Sequence, residues 1–279
     1  MAHNSVEFPV WKSVGEALPD LQIECERSIV KRAKIRSMVA HALAENRICL
    51  VYQPVVSCHA GRPVSFYEGL MRIRDTDGSL LPPGSYLPYV AGTALGTELD
   101  LAVLELAITK LEANPWLRLA INVAPTTTAC ADWMRRLRAA ATKAPDIAYR
   151  LIVEITESSD LTRHDTARGF IEDLHRIGAS VALDDFGAGP TSFRYFQEFR
   201  FDIVKIDGSY CRGLADNPHN MVLVKALVDI ARHFEMLTVA EFIETECDSA
   251  SVTALGVDCL QGYFTGRPSE RLSCPSPAW

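Results

Sequence analysis

The chain has 279 residues, 48% of them hydrophobic and 23% charged, with a formal net charge of −7. That balance is ordinary for a globular protein, and its acidity excludes a protein that coats nucleic acid, because phosphate contacts of that kind require a basic surface. The length admits two ordinary domains or one α/β barrel, which typically needs about 250 residues.

Residues 1–35 read as an N-terminal extension, ending in a helix that runs to His41 or beyond. The densest basic run, Lys31-Arg32-Ala33-Lys34-Ile35-Arg36, reads as a solvated face of that helix. MAHNSVEFPVWKSVGEALPD at the start lacks a continuous apolar stretch, and no apolar run reaches the roughly 18 residues of a membrane span. Eight cysteines are scattered without a CxxC pair, which fits reduced, mostly buried thiols and a cytoplasmic setting.

From about residue 48, short β-branched runs alternate with helical patterns. ICLVYQPVV, PVSFYEGL, LRLAINV, YRLIVEIT, ASVALDD, FDIVKID, MLTVAEF and VDCLQG read as strands. DWMRRLRAAATKA, TARGFIEDLHRI and NMVLVKALVDIARHF carry apolar residues at helical spacing between them. Alternation of this kind predicts parallel βα units, and eight strands predict a modified TIM (β/α)8 barrel, with a doubly wound open sheet as the alternative. The short link SCHAGRP makes the first two strands a hairpin, so one barrel strand is antiparallel.

In such a barrel the chemistry stands where strands end. These runs end in Glu68, Asn122, Glu154 with Glu157, Asp184-Asp185, Lys205 with Asp207, Glu241 and Gln261. Any one of them has a plain structural explanation as a turn residue, a helix-terminal charge or a rim ion pair. Their coincidence on one rim does not. Carboxylate and amide oxygens without histidine or cysteine are hard ligands that select magnesium or manganese over zinc. A pair of divalent cations also explains the adjacent aspartates, whose repulsion the metal charge offsets.

Tyr52-Gln53-Pro54-Val55-Val56, Glu68-Gly69-Leu70-Met71-Arg72, Asn122-Val123-Ala124, Glu154-Ile155-Thr156-Glu157, Asp184-Asp185-Phe186-Gly187, Lys205-Ile206-Asp207, Glu241-Phe242-Ile243-Glu244 and Gln261-Gly262-Tyr263 resemble, in order and spacing, the motifs of the EAL-domain cyclic di-GMP phosphodiesterases. The resemblance implies a domain over residues 36–270, a C-terminal tail at 271–279, and hydrolysis of cyclic di-GMP to linear pGpG with two Mg2+ or Mn2+ ions. It implies Glu68, Asn122, Glu154, Asp184, Asp185 and Glu241 as the metal set. Lys205 would assist the attacking water, Gln261 would support the metal and water network, and Glu157 would anchor the loop after the aspartates. Gln53 and Arg72 would bind substrate, with Arg72 on a phosphate. A homodimer follows from the same resemblance.

The chain also departs from the family pattern. Gly69 stands where the family has alanine and is expected to loosen Glu68 slightly. Ala188 removes a hydroxyl and Pro190 an N–H from the loop after Asp185. Phe242 replaces a glycine beside Glu241, and Gly208 replaces an arginine. These changes keep open a second reading, a receptor that binds the nucleotide without turning it over. His164-Asp165 reads as a helix start, and Ser192 and Ser209 lack a histidine partner for a triad.

Overall fold

Ile48–Ser57 (β1) and Val64–Arg74 (β2) form the expected hairpin, antiparallel over Ile48 to Val56 with an irregularity after Val55. The computed structural model describes residues 18–156, 164–187 and 193–273. Leu80–Leu81 (β3) adds a short antiparallel ribbon to β2. Leu119–Asn122 (β4), Leu151–Thr156 (β5), Ser180–Phe186 (β6), Ile203–Ile206 (β7), Leu237–Ala240 (β8) and Cys259–Gln261 (β9) follow, each parallel to the one before, and β4 runs parallel to β2. β1 lies antiparallel against both β9 and β2 and so closes the ring. The result is a closed mixed barrel of eight strands wrapped by helices, with β3 outside the ring. The open-sheet alternative is thereby excluded.

The helices are Leu18–Ala44 (α1), Leu87–Val90 (α2), Ala94–Ala113 (α3), Ala131–Lys143 (α4), Asp146–Arg150 (α5), His164–Ile177 (α6), Tyr195–Glu198 (α7), Gly208–Cys211 (α8), Pro218–His233 (α9) and Glu246–Ala254 (α10). Several begin on side chains that satisfy a first-turn N–H: Thr93 accepts from Gly96, Asn217 from Asn220 and Thr245 from Asp248. Asp207 does the same for Ser209 and is therefore committed to capping α8. Apart from β6, the barrel strands after β2 are shorter than their apolar runs suggest. Tyr149 and Arg150, for instance, belong to α5, and β5 begins only at Leu151. The C-terminal part of α1 packs on the barrel, where Val39 and Ala42 share a core with Ile48, Ile73, Tyr86, Val90 and Leu99. Among the described residues no helix is long and apolar enough to cross a membrane.

Inside the ring, Val55, Phe66, Ala120, Ile152, Ala182, Ile203, Val239 and Cys259 form a buried cluster of their own, one residue from each barrel strand. Because strand side chains alternate faces, the residue two positions further toward the rim points into the barrel as well. Those positions are Gln53, Glu68, Asn122, Glu154, Asp184, Lys205, Glu241 and Gln261. An apolar plug thus carries a polar layer directly above it.

Candidate metal and phosphodiester site

Lys205 is the hub of the polar layer. It is 1% exposed, and its Nζ lies 2.8 Å from Asp184 Oδ1, 2.9 Å from Glu241 Oε1, 3.0 Å from Glu154 Oε2 and 3.3 Å from Glu68 Oε2. Glu68 also accepts from Asn122 Nδ2 at 2.8 Å and from Gln261 Nε2 at 2.5 Å. Gln261 Nε2 reaches Gln53 Oε1 at 3.4 Å, and Gln53 Nε2 donates to Gly266 O at 3.1 Å. Seven of the residues singled out above therefore form one bonded cluster, with Gln53 at its edge. Gly69 does not loosen Glu68. It sits in a ladder paired with both Tyr52 and Ile121, and three neighbours fix the Glu68 carboxylate.

Consecutive aspartates on a regular strand would face opposite ways. Here the register of β6 against β7 breaks between Leu183 and Phe186, and Asp185 takes φ 55°. That turn brings both carboxylates to the same cavity, so that one oxygen from each of Asp184, Asp185 and Glu241 lies within 4.8 Å of the others. Gly262 serves the opposite wall. A Cβ there would stand 2.1 Å from the Ile243 carbonyl oxygen, so only glycine lets the chain after Gln261 pass so close.

The electrostatics are uneven. Burial lowers the Lys205 pKa, but four surrounding carboxylates outweigh it and hold the ammonium charged well above its usual range. Burial pushes Glu68 up, yet the Lys205 charge and the hydrogen bonds from Gln261, Asn122 and Lys205 bring it below the usual carboxylate value. Burial and then the Glu68 charge push Glu154 well up. Burial carries Glu241 to about 8 despite Lys205, and burial with the Asp184 charge carries Asp185 to about 6. One ammonium cannot keep five crowded carboxylates ionised. Glu154 Oε1 and Gln261 Oε1 are buried without a hydrogen-bond partner among the described residues, which is expensive for oxygens of this kind. Surplus negative charge, orphaned oxygens and hard donors all fit a divalent cation.

Above the cluster opens a cavity of about 700 Å³, lined by the rim residues other than Glu154 together with Arg72, Thr156, Arg212, Phe242, Glu244 and Tyr263. That is within the range of small-ligand sites. Arg72 stands along its wall, bonded to Met71 O, with no bond to the carboxylates among the described contacts. Glu157, Ala188 and Pro190 lie outside the described residues. Arg212 and Asp100 were not anticipated. Asp100 is buried on α3, where it accepts from Ala124 N at 2.9 Å and Thr127 Oγ1 at 2.6 Å and so braces the turn that follows Asn122. The spacing of Gly96, Leu99, Asp100, Val103, Leu104 and Ala107 along the buried face of α3 is the signal that would have revealed it.

Fold and site together define a closed mixed barrel whose rim carries a lysine-centred acidic cluster able to coordinate a divalent metal. The EAL domain family matches residues 36–268, and the chain belongs to that family. It is 31% identical over 247 residues to the cyclic di-GMP phosphodiesterase PdeF of Escherichia coli K12, covering 87% of this chain and 33% of that protein. It is 32% identical over 235 residues to the cyclic di-GMP phosphodiesterase PdeB of Shewanella oneidensis, covering 82% of this chain and 27% of that protein. The chain thus spans about a third of the length of these relatives. Among solved structures it is similar to a PaMucR phosphodiesterase in complex with c-di-GMP (TM-score 0.72, 30% identity, 80% of this chain and 97% of that one). It shares its fold with the Xanthomonas citri FimX EAL domain in complex with c-diGMP (TM-score 0.79, 22% identity, 90% of this chain and 99% of that one).

Proposed function

We propose that the chain hydrolyses cyclic di-GMP to linear pGpG with two Mg2+ or Mn2+ ions. The observation that carries this reading is the polar layer, in which four carboxylates surround one buried ammonium and Asp185 adds a fifth beside them, beneath an open cavity. The ions would be held by Glu68, Asn122, Glu154, Asp184, Asp185 and Glu241. When bound, they would acidify a water and offset charge on the phosphate oxygens. Water adds to phosphorus, one P–O3′ bond breaks, and the leaving 3′ oxygen takes a proton. Lys205, at the centre of the cluster, would assist the attacking water and offset the negative charge that grows on the phosphoryl group. Gln261 holds Glu68 in place, Gln53 holds Gln261, and Arg72 faces the substrate phosphate from the cavity wall. Glu157 is assigned to anchoring the loop after Asp185.

Free cysteines among the described residues fit a cytoplasmic setting. A homodimer belongs to the same reading, and sedimentation equilibrium at micromolar concentration checks it: a monomeric mass with full activity removes the dimer from the mechanism. The reaction itself is tested by incubating the protein with cyclic di-GMP and Mn2+, Mg2+ or Ca2+ and resolving products by chromatography. The expected outcome is pGpG with the first two ions and little with calcium, whose longer, looser coordination positions reacting groups poorly. Tight binding with no product under any ion makes the chain a receptor.

A further inference from the structure

The cavity wall holds two rings for which the reaction described above has no use, Tyr263 and Phe242, and the second is held in an unusual way. Phe242 follows Glu241, lines the cavity and is 48% exposed. Its φ of 53° is left-handed, a conformation that a bulky side chain adopts only where the surroundings impose it. An exposed ring gains little burial to offset that strain, so the conformation calls for another reason.

The surroundings are specific. The Arg212 guanidinium sits over the ring, 4.8 Å from its centroid, and Arg212 is itself paired with Glu244 at 3.3 Å. On the α8 side lies Gly208. A Cβ at that position would stand 2.4 Å from Phe242 Cδ2 and 2.6 Å from its Cβ and Cγ, so the ring can occupy its place only because residue 208 has no side chain. A turn, a missing side chain and a guanidinium therefore combine to present an aromatic surface at the mouth of an acidic cavity. The part of the ring that stays exposed can receive a flat π-system, with the guanidinium already stacked over the ring as the charged end of the stack.

We propose that Phe242 is a specificity-determining residue, a platform on which one purine base of the bound cyclic dinucleotide stacks, and that Gly208 sets its orientation. The ligand's identity rests on the phosphodiesterase reading; the platform rests on the geometry of Phe242, Gly208 and Arg212. Stacking and backbone strain pull the same substitution in opposite directions, which separates a binding role from a merely structural one. Phe242→Gly relieves the left-handed strain and removes the ring.

The experiment is calorimetric titration of cyclic di-GMP into the full chain with calcium, which suppresses turnover, alongside thermal unfolding without nucleotide. Phe242→Gly is expected to weaken binding about fivefold to a hundredfold while its Tm stays level or rises. Phe242→Tyr, which keeps the ring, is expected to bind like the parent. Gly208→Ala is expected to weaken binding in the parent and to change nothing in the Phe242→Gly background, because the clash then has no partner. A parent that binds with Phe242→Gly matching it overturns the platform and leaves the phosphodiesterase reading standing. Equal losses from Gly208→Ala in both backgrounds overturn the coupling. A parent that binds no cyclic di-GMP overturns both readings together.

Discussion

Lys205 carries two burdens, and its removal separates them. The ammonium is the shared ion-pair partner of four buried carboxylates in the metal-free protein and would offset phosphoryl charge during reaction. Lys205→Ala is therefore expected to slow turnover by about a hundredfold to a thousandfold at saturating Mn2+. It should also cost about 3–5 kcal/mol of stability without metal, because the carboxylates lose their buried partner. Denaturant unfolding with and without Mn2+ checks the second effect, and a variant as stable as the parent without metal contradicts it. Asp184→Asn has the opposite profile. It removes one negative charge from a crowded cluster, so metal-free stability should not fall, while turnover and the Mn2+-dependent rise in Tm should both disappear. A retained metal-dependent rise shows that Asp184 is not a ligand. At this scale the sequence was informative about identity and silent about geometry. Asp184 and Asp185 announce themselves as adjacent acids, but the left-handed φ of Asp185 that turns both into one cavity has no signature in an aspartate.

On the scale of single elements, the period of the strand does most of the placing. Each barrel strand presents an apolar residue to the plug and, two positions nearer the rim, a polar one, so Ile203 with Lys205 or Ala182 with Asp184 could be paired from the sequence alone. Strand ends were less legible. β4 stops at Asn122 and β9 begins at Cys259, because ladder pairing and not the apolar run decides where a strand ends. The helix α3 and its Asp100 escaped notice for a related reason: a carboxylate within an apolar face reads as an interruption until its partners across the fold are known. Burial raises the Asp100 pKa to about 6, against hydrogen bonds from Thr127 and Ala124 that pull it down. A folded value above the unfolded 3.8 means that the stabilising contribution is complete below pH 3.8 and is lost as pH rises through about 6. The difference corresponds to about 3 kcal/mol. Asp100→Asn keeps the shape without the titration. Relative to the parent, its stability should therefore increase from pH 4 to pH 7, and parallel stability curves for the two proteins contradict this.

For the whole molecule, closure of the ring turns eight separate strand ends into one site. The sequence pointed to the barrel, including its antiparallel first strand, because alternation of strands and helices and the short SCHAGRP link are local signals. The seating of α1 was not visible, since Val39 and Ala42 meet residues as distant as Leu99. Nor was the coupling of Gly208 to Phe242, two positions on neighbouring strand-to-helix connections that only the closed barrel brings into contact. The central claim is that this rim hydrolyses one phosphodiester of cyclic di-GMP and needs divalent ions to do so. It is tested most directly by the initial rate of pGpG release from metal-stripped protein as free Mn2+ is raised. The account predicts no product without metal, a rate that rises cooperatively to saturation, and pGpG as the product. Release of pGpG at the same rate in chelator, or saturated nucleotide binding with no release at any Mn2+ concentration, would contradict it.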